Sequence, residues 1–213
     1  FTPAASTGTI YVNKKHMSSA TVSSNQTWCT LTKSASTDTK DTYTVSVTKN
    51  SGSARSCTIT ATGTGSSDSV SRTDTITVSQ SSGVSSFSVS PDTISLTSNA
   101  AASKSFTVSA TNVSSWSVSS KPSWVTVDTT NKTISITKNT GSDRSGTISF
   151  SATGTYDGAT RTDSIAVTQE GISAINVTPD AGLSFAPDAG TGTIYVNKTN
   201  LKTATVSSNQ TWC

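Results

Sequence analysis

The sequence predicts an all-β protein made of small β-sandwich modules in tandem, and three observations predict it. Apolar residues alternate with hydroxyl residues, as in TVSVT at 44–48 and TISIT at 133–137, the period-2 pattern of strands buried on one face. Turn residues interrupt these runs, at Pro91-Asp92, Lys121-Pro122, Thr130-Asn131 and Tyr156-Asp157-Gly158 among others; many short strands between frequent turns describe a sandwich. A long stretch also recurs. FTPAASTGTIYVNKKHMSSATVSSNQTWC at 1–29 returns as FAPDAGTGTIYVNKTNLKTATVSSNQTWC at 185–213, and a fixed period marks a repeat architecture. The second copy stops in mid-pattern, so the chain reads as a window on a longer tandem array.

Composition fits this class. Hydrophobic residues make up 31% of the 213, below the roughly 45–50% usual for globular domains. Ser and Thr fill about two-fifths of the chain. Low charge and strict alternation place those hydroxyls on wet strand faces rather than in a disordered chain, and Thr is β-branched and favoured in strands. The net charge is +3, with Lys and Arg scattered singly; a nucleic-acid footprint needs them clustered. No apolar stretch approaches the ~18–20 residues that span a bilayer.

In chain order, residues 1–83 form repeat A, which ends in RTDTITVSQ at 72–80 and the loop Ser-Ser-Gly. Residues 84–171 form repeat B, which ends in RTDSIAVTQ at 161–169 and Glu-Gly. Residues 172–213 begin a second A. The two repeat types share a pattern: SVTKNSGSARSCTI at 46–59 matches SITKNTGSDRSGTI at 135–148. Strands are expected in B at 85–89, 93–97, 104–110, 115–119, 124–127, 132–137, 145–153 and 160–168. The Asn-x-Gly-Ser turns at 50–53 and 139–142 read as hairpin connections between long alternating strands, and 98–101 reads as a turn. The first A has no counterpart of residues 175–184, so its opening strand is missing in this chain; an edge left open that way invites strand addition.

The combination of Trp124-Val125, SITKN at 135–139, RSGTI at 144–148 and IAVTQ at 165–169 resembles a BACON domain. Repeat A shares it through Trp28, Asn50, Arg55, Thr58-Ile59 and ITVSQ at 76–80. The resemblance implies an immunoglobulin-like sandwich and an extracellular or cell-surface setting. Such domains occur in surface and secreted proteins of gut Bacteroidetes and in some of their phages. It also implies either carbohydrate or mucin binding, or service as a spacer between other domains.

Candidate chemistry is sparse. Cys29 and Cys57 both occur in A, and both are absent from B, where Val125 and Gly146 stand at the matching positions. Two cysteines gained or lost together suggest a disulfide and an oxidising compartment; a pair of buried thiols is the other reading. Cys213 would pair within the next repeat. No metal or cofactor is expected: the lone histidine, His16, is Asn200 in the second copy, and two Cys do not make a zinc site. Trp28, Trp124 and Trp212 share one position and read as core anchors. Trp116, whose A counterpart is Ala20, is a candidate for sugar stacking together with Tyr156 and Tyr11, or else fills core or junction volume. Asp-Ser/Thr-X triplets place candidate O-glycosylation at Ser69, Thr75, Thr93, Thr129 and Ser164, by resemblance to the acceptor sequence of Bacteroidetes; hydroxyls in turns and strand starts are the alternative. Glycosidase chemistry needs two facing carboxylates, and Asp38 and Asp41 lie in a loop unique to A and read as solvated. No catalytic residue is expected. The reading is a structural or adhesive segment, a stalk, shaft or filament whose partners are neighbouring modules or other copies of the chain. A carbohydrate-binding module and a phage fibre domain are the alternatives.

Overall fold

The computed structural model describes residues 1–97 and 99–211. Trp212 and Cys213, and Ser98 of the 98–101 turn, lie outside the described residues. Every element among the described residues is a strand. The fold is all-β, of immunoglobulin-like sandwich class.

The chain divides into two compact units. The first comprises Phe1–Ser88, Ser109–Ser117 and Ser151–Thr162; the second comprises Val89–Val108, Val118–Phe150 and Asp163–Cys213. The first unit contains repeat A. Its strands are β1 (Ser6–Asn13), β2 (Met17–Ser24), β3 (Cys29–Ser36), β4 (Lys40–Val47), β5 (Arg55–Gly65) and β6 (Ser71–Gln80). They form two antiparallel sheets, β1-β4-β3 and β2-β5-β6. Alternation decides which faces meet. In β4, Asp41, Tyr43, Val45 and Val47 turn inward while Thr42, Thr44 and Ser46 stay nearer water. The core is shared evenly by the two sheets: Cys29, Val45 and Val47 from one, Cys57, Ile59 and Val78 from the other, with Ile10, Val22, Trp28 and Leu31 packed around them. Each such aliphatic side chain contributes about 1.5–3 kcal/mol on burial.

Residues 50–53 do not make a hairpin. They carry the chain from β4 in one sheet to β5 in the other. The reason is local: Asn50 turns its amide onto the backbone of Ser53 and Ser81, and Arg55 reaches back to Thr48 O. These ties close a loop across the sandwich instead of a ladder along one sheet.

Repeat B follows with β7 (Ser86–Ser90), β8 (Thr93–Leu96), β9 (Ala102–Ser105), β10 (Thr107–Thr111), β11 (Val113–Ser120), β12 (Val125–Asp128), β13 (Thr133–Ile136), β14 (Arg144–Gly154) and β15 (Thr160–Gln169). The sheets are β12-β13-β9, β11-β14-β15-β8 and the pair β10-β7. Residues 139–142 again join strands of different sheets. The strand expected at 104–110 is broken at Phe106. That residue is buried, donates its N–H to Lys132 O at 3.0 Å and packs on Phe150 with ring centroids 5.4 Å apart. With Phe106 committed to the core, β9 pairs with β13 and β10 with β7. β8 runs parallel to β15, Ile94 beside Val167. In the second unit, β16 (Ala174–Thr178) and β17 (Tyr195–Thr199) form an antiparallel pair with Val177 opposite Val196.

Candidate functional site

One constellation is built twice. In repeat A, the Arg55 guanidinium lies 4.4 Å from the centroid of the Trp28 ring, its Nε donates to Gln80 Oε1 at 2.8 Å, and an Nη donates to Thr48 O at 2.8 Å. In repeat B, Arg144 sits 4.4 Å from the Trp124 ring and donates to Gln169 Oε1 and to Thr137 O. A guanidinium stacked on indole and hydrogen-bonded at its edge uses its planar fork fully. Both tryptophans are half-buried, so they cap the core beneath an arginine rather than fill it. Gln80 and Gln169 are buried. Gln80 Nε2 donates to Thr48 O and Ala4 O, and Gln169 Nε2 to Ala100 O, which satisfies both ends of a buried amide.

The same end of each repeat grips the chain that leaves it. Asn50 Nδ2 donates to Ser53 O and Ser81 O, both at 2.8 Å, and Asn50 Oδ1 accepts the Gly52 N–H. Gly83 N donates to Gly52 O at 2.9 Å. A Cβ on Gly83 would sit 1.8 Å from Asn50 O, so only glycine fits. In repeat B, Asn139 Nδ2 reaches Ser142 O and Glu170 O, and a Cβ on Gly171 would lie 2.2 Å from Gly141 O.

A second asparagine closes each linker from the other side. His16, Asn112 and Asn200 occupy one position and share a left-handed backbone, φ 53°, 53° and 51°, a conformation Asn tolerates well. Asn112 Nδ2 donates to Ser82 O and Val84 O. Asn200 Nδ2 donates to Asp143 Oδ1 and Gly171 O, and Asp143 Oδ1 also accepts the Gly171 N–H. Asp157 Oδ2 accepts the Ser85 N–H, the Ser85 hydroxyl and an Arg161 guanidinium N–H. The Ser85 donor first, then Ala159 N–H and Arg161, hold the Asp157 carboxyl well below the ordinary range. Sequence reading picked out Asn50, Arg55, Asn139 and Arg144 but missed these linker contacts. The Asn112–Asn200 correspondence was the available signal.

The remaining candidates fall on separate elements. Cys29 on β3 and Cys57 on β5 face each other across the two sheets as buried thiols. Burial, with the Cys57 thiol beside it, pushes the Cys29 thiol up to about 11. The matching Gly146 has no room for a side chain, since a Cβ would meet Pro122 Cγ at 2.4 Å. Trp116 on β11 is half-buried and packs on Phe87 with centroids 6.2 Å apart. Tyr156 is half-buried in the β14–β15 turn beside Gly83. Tyr11 on β1 is 61% exposed, with Lys40 Nζ 4.9 Å over its ring.

Ser69, Thr75, Thr93, Thr129 and Ser164 are all exposed. The aspartates before four of them have structural work. Asp74 and Asp163 accept the N–H of the next residue, and Asp68 and Asp128 close turns.

Asp41 corrects the sequence reading. It lies on β4, is 1% exposed, and accepts from Lys14, Lys33 and Ser36 at 2.7, 2.8 and 2.6 Å. Lys14 first, then Lys33 and Ser36, hold its carboxyl far below the ordinary range. Alternation along β4 turns it inward with Tyr43 and Val45, and the two lysines make that position tolerable. Asp38 is exposed, as expected. Among the described residues no cluster of three potential metal ligands occurs, and no helix is long and apolar enough to cross a membrane.

The BACON family model, described as that of an N-terminal binding domain, matches residues 18–81 and 114–170, more than half of the chain. The chain belongs to the BACON family. The two matched segments contain both copies of the Trp–Asn–Arg–Gln constellation. No curated protein sequence matches the chain. Among solved structures, the chain is similar to the titin domains z1z2 in complex with telethonin (13% identity, 79% of this chain and 90% of that one, TM-score 0.33). It is similar to Drosophila N-cadherin EC1-4 (12%, 74% and 43%, TM-score 0.34). It is also similar to the endo-fucoidan hydrolase MfFcnA4 of glycoside hydrolase family 107 (14%, 80% and 27%, TM-score 0.29). The chain spans about a quarter of that hydrolase's length, and at these TM-scores none of the likenesses bears on function.

Proposed function

We propose that this chain is a segment of an extracellular shaft, a string of BACON sandwiches that holds another part of its protein away from a surface and performs no catalysis. The use made of the shared polar residues carries this reading. Asn50, Arg55 and Gln80, with Asn139, Arg144 and Gln169, direct their polar atoms onto strands, turns and exit linkers of their own chain. A ligand site needs polar groups converging on open space; these converge on backbone. Exposed hydroxyl faces suit a surface setting, with O-glycans at Ser69, Thr75, Thr93, Thr129 and Ser164 as their modification. A virion fibre would use the same shaft.

Carbohydrate binding through Trp116, Tyr156 or Tyr11 is weaker support for a function. Two of these rings are half-buried against Phe87 and Gly83, and the third lies under Lys40. The test is a glycan and mucin array, read with the native protein and with Trp116→Ala. No saturable binding is expected from either. Binding by the native chain that Trp116→Ala abolishes overturns the shaft reading.

A further inference from the structure

Repeats A and B close the same gap in their cores by different chemistry. In A, Cys29 on β3 and Cys57 on β5 come from opposite sheets, are 2% and 3% exposed, and share one core cluster with their thiols side by side. In B, Val125 stands for Cys29, and Pro122 fills the space that a Cβ at Gly146, the counterpart of Cys57, would need.

The backbone segments that carry the two cysteines are pinned together beside them. Asn25 Oδ1 accepts the Thr58 N–H at 2.9 Å, and the Asn25 N–H donates to Thr58 O at 3.1 Å. On the other side, the Arg55 guanidinium lies 4.4 Å from the centroid of the Trp28 ring. Residues 25–28 are thereby held against residues 55–58 by contacts that involve neither sulfur. A disulfide forms where two thiols are kept within reach of each other, and these contacts supply that hold across the sandwich. The loop from Cys29 to Cys57 contains β3, β4 and the 50–53 turn. Tension applied to the ends of a chain bypasses a loop closed by a covalent bond, so a cross-link here would leave those residues slack.

We propose that Cys29 and Cys57 are joined by a disulfide as A folds, and that the bond caps the length A can release under tension while B, which has no cysteine, releases all of its own. The reaction is a thiol–disulfide exchange. One thiolate of the pair attacks a disulfide donor, a small-molecule or protein disulfide of an oxidising compartment, and displaces one donor thiol. The second cysteine attacks the mixed disulfide, forms the Cys29–Cys57 bond and releases the other donor thiol. The pair gives up two electrons and two protons, and the donor takes them up as two thiols. Timing follows from burial. In the folded sandwich both sulfurs are covered, and burial raises the Cys29 thiol from 9.0 to about 11, so its attacking thiolate is about a hundred-fold scarcer. The bond therefore forms before the sheets close. The use of the cap rests on the shaft reading; the bond itself does not.

The test takes the 213-residue chain with Cys213→Ser, which leaves only this pair. Refolded from denaturant in a glutathione redox buffer, it is expected to be lighter than the reduced chain by two hydrogens and to yield one peptide linked through Cys29 and Cys57. Chain folded under reductant and then given the same buffer is expected to oxidise at least about ten-fold more slowly. Held by its termini in an optical trap, the oxidised chain is expected to unfold A in a step about 10 nm shorter than in the reduced chain, at ~3.5 Å per residue of closed loop, with the step of B unchanged. Cys29→Val, the residue that B carries, keeps the core filled without the bond, so its step for A is expected to match the reduced chain. Two free thiols after refolding overturn the proposal outright. Equal rates of oxidation before and after folding overturn its timing, and a step for A that reduction leaves unchanged overturns the cap. None of these outcomes touches the shaft reading, which the glycan array tests separately.

Discussion

Cys29 and Cys57 show how strongly one buried position can be tuned. Both thiols sit in the narrow core between the sheets of repeat A, and burial pushes Cys29 up to about 11. A raised thiol is protonated at neutral pH and therefore a poor nucleophile. Iodoacetamide at pH 8 is expected to leave Cys29 unmodified in the folded, reduced protein and to label it once denaturant is added. Material secreted through an oxidising compartment is expected to carry the Cys29–Cys57 bond, read as the loss of two hydrogens by intact mass. Closing the loop between them would add about 3–4 kcal/mol. Asp41 is the other informative residue. Its carboxylate is stabilised by two ammonium groups and a hydroxyl. Lys33 remains partly solvated, so Asp41→Asn is expected to lower stability by about 1–2 kcal/mol rather than the full cost of breaking a buried pair. Chemical denaturation at pH 7 measures it.

Among the elements, the turns at 50–53 and 139–142 do more than reverse the chain. Each bridges the two sheets of its sandwich, and its asparagine then seizes the exit linker. Asn50→Ala removes two donated bonds and one accepted bond at a buried position, an expected loss of about 2–3 kcal/mol. Amide exchange at Ser81 and Gly83 is expected to quicken more than exchange at Val45 or Ile59, because linker opening is local. Gly83→Ala is expected to give the same exchange signature for a different reason, a steric collision with Asn50 O. Equal acceleration throughout repeat A in either variant would refute the linker's dependence on this turn. The Trp28–Arg55 and Trp124–Arg144 stacks stand beside these turns and orient the arginines toward Gln80 and Gln169, which makes them one unit with the linker ties.

For the whole molecule, the carboxylates with shifted acidity all move the same way. Asp41, Asp68, Asp128, Asp143 and Asp157 are held low, by lysine, arginine, asparagine or backbone donors. A carboxyl depressed in the folded state contributes stability above its unfolded value, near 4, and loses it as the pH falls toward the folded value. Stability is expected to be level from about pH 5 to 8 and to fall below about pH 4. Asp143 and Asp157 receive linker N–H groups. The 81–85 and 170–172 segments are therefore expected to lose exchange protection at a higher pH than the core strands do. Core strands that open first in acid would refute that order.

Much of the fold was legible from local pattern. Alternation in TVSVT and TISIT reports one buried face, and side-chain direction along a strand is a property of neighbouring residues. The twofold recurrence of the Trp, Asn, Arg and Gln positions marked A and B as repeats of one pattern. Local pattern could not say which strands pair. It read 50–53 as a hairpin and 104–110 as one strand, because sheet membership depends on contacts far apart in the chain, such as Phe106 with Phe150. It placed Asp41 in water because a buried carboxylate is acceptable only when Lys14 and Lys33 arrive from two other segments. By itself, then, the sequence determined an all-β tandem repeat with hydroxyl-rich faces. Tertiary structure alone decided that the shared polar residues hold the chain's own linkers, since that depends on backbone groups that only folding brings together.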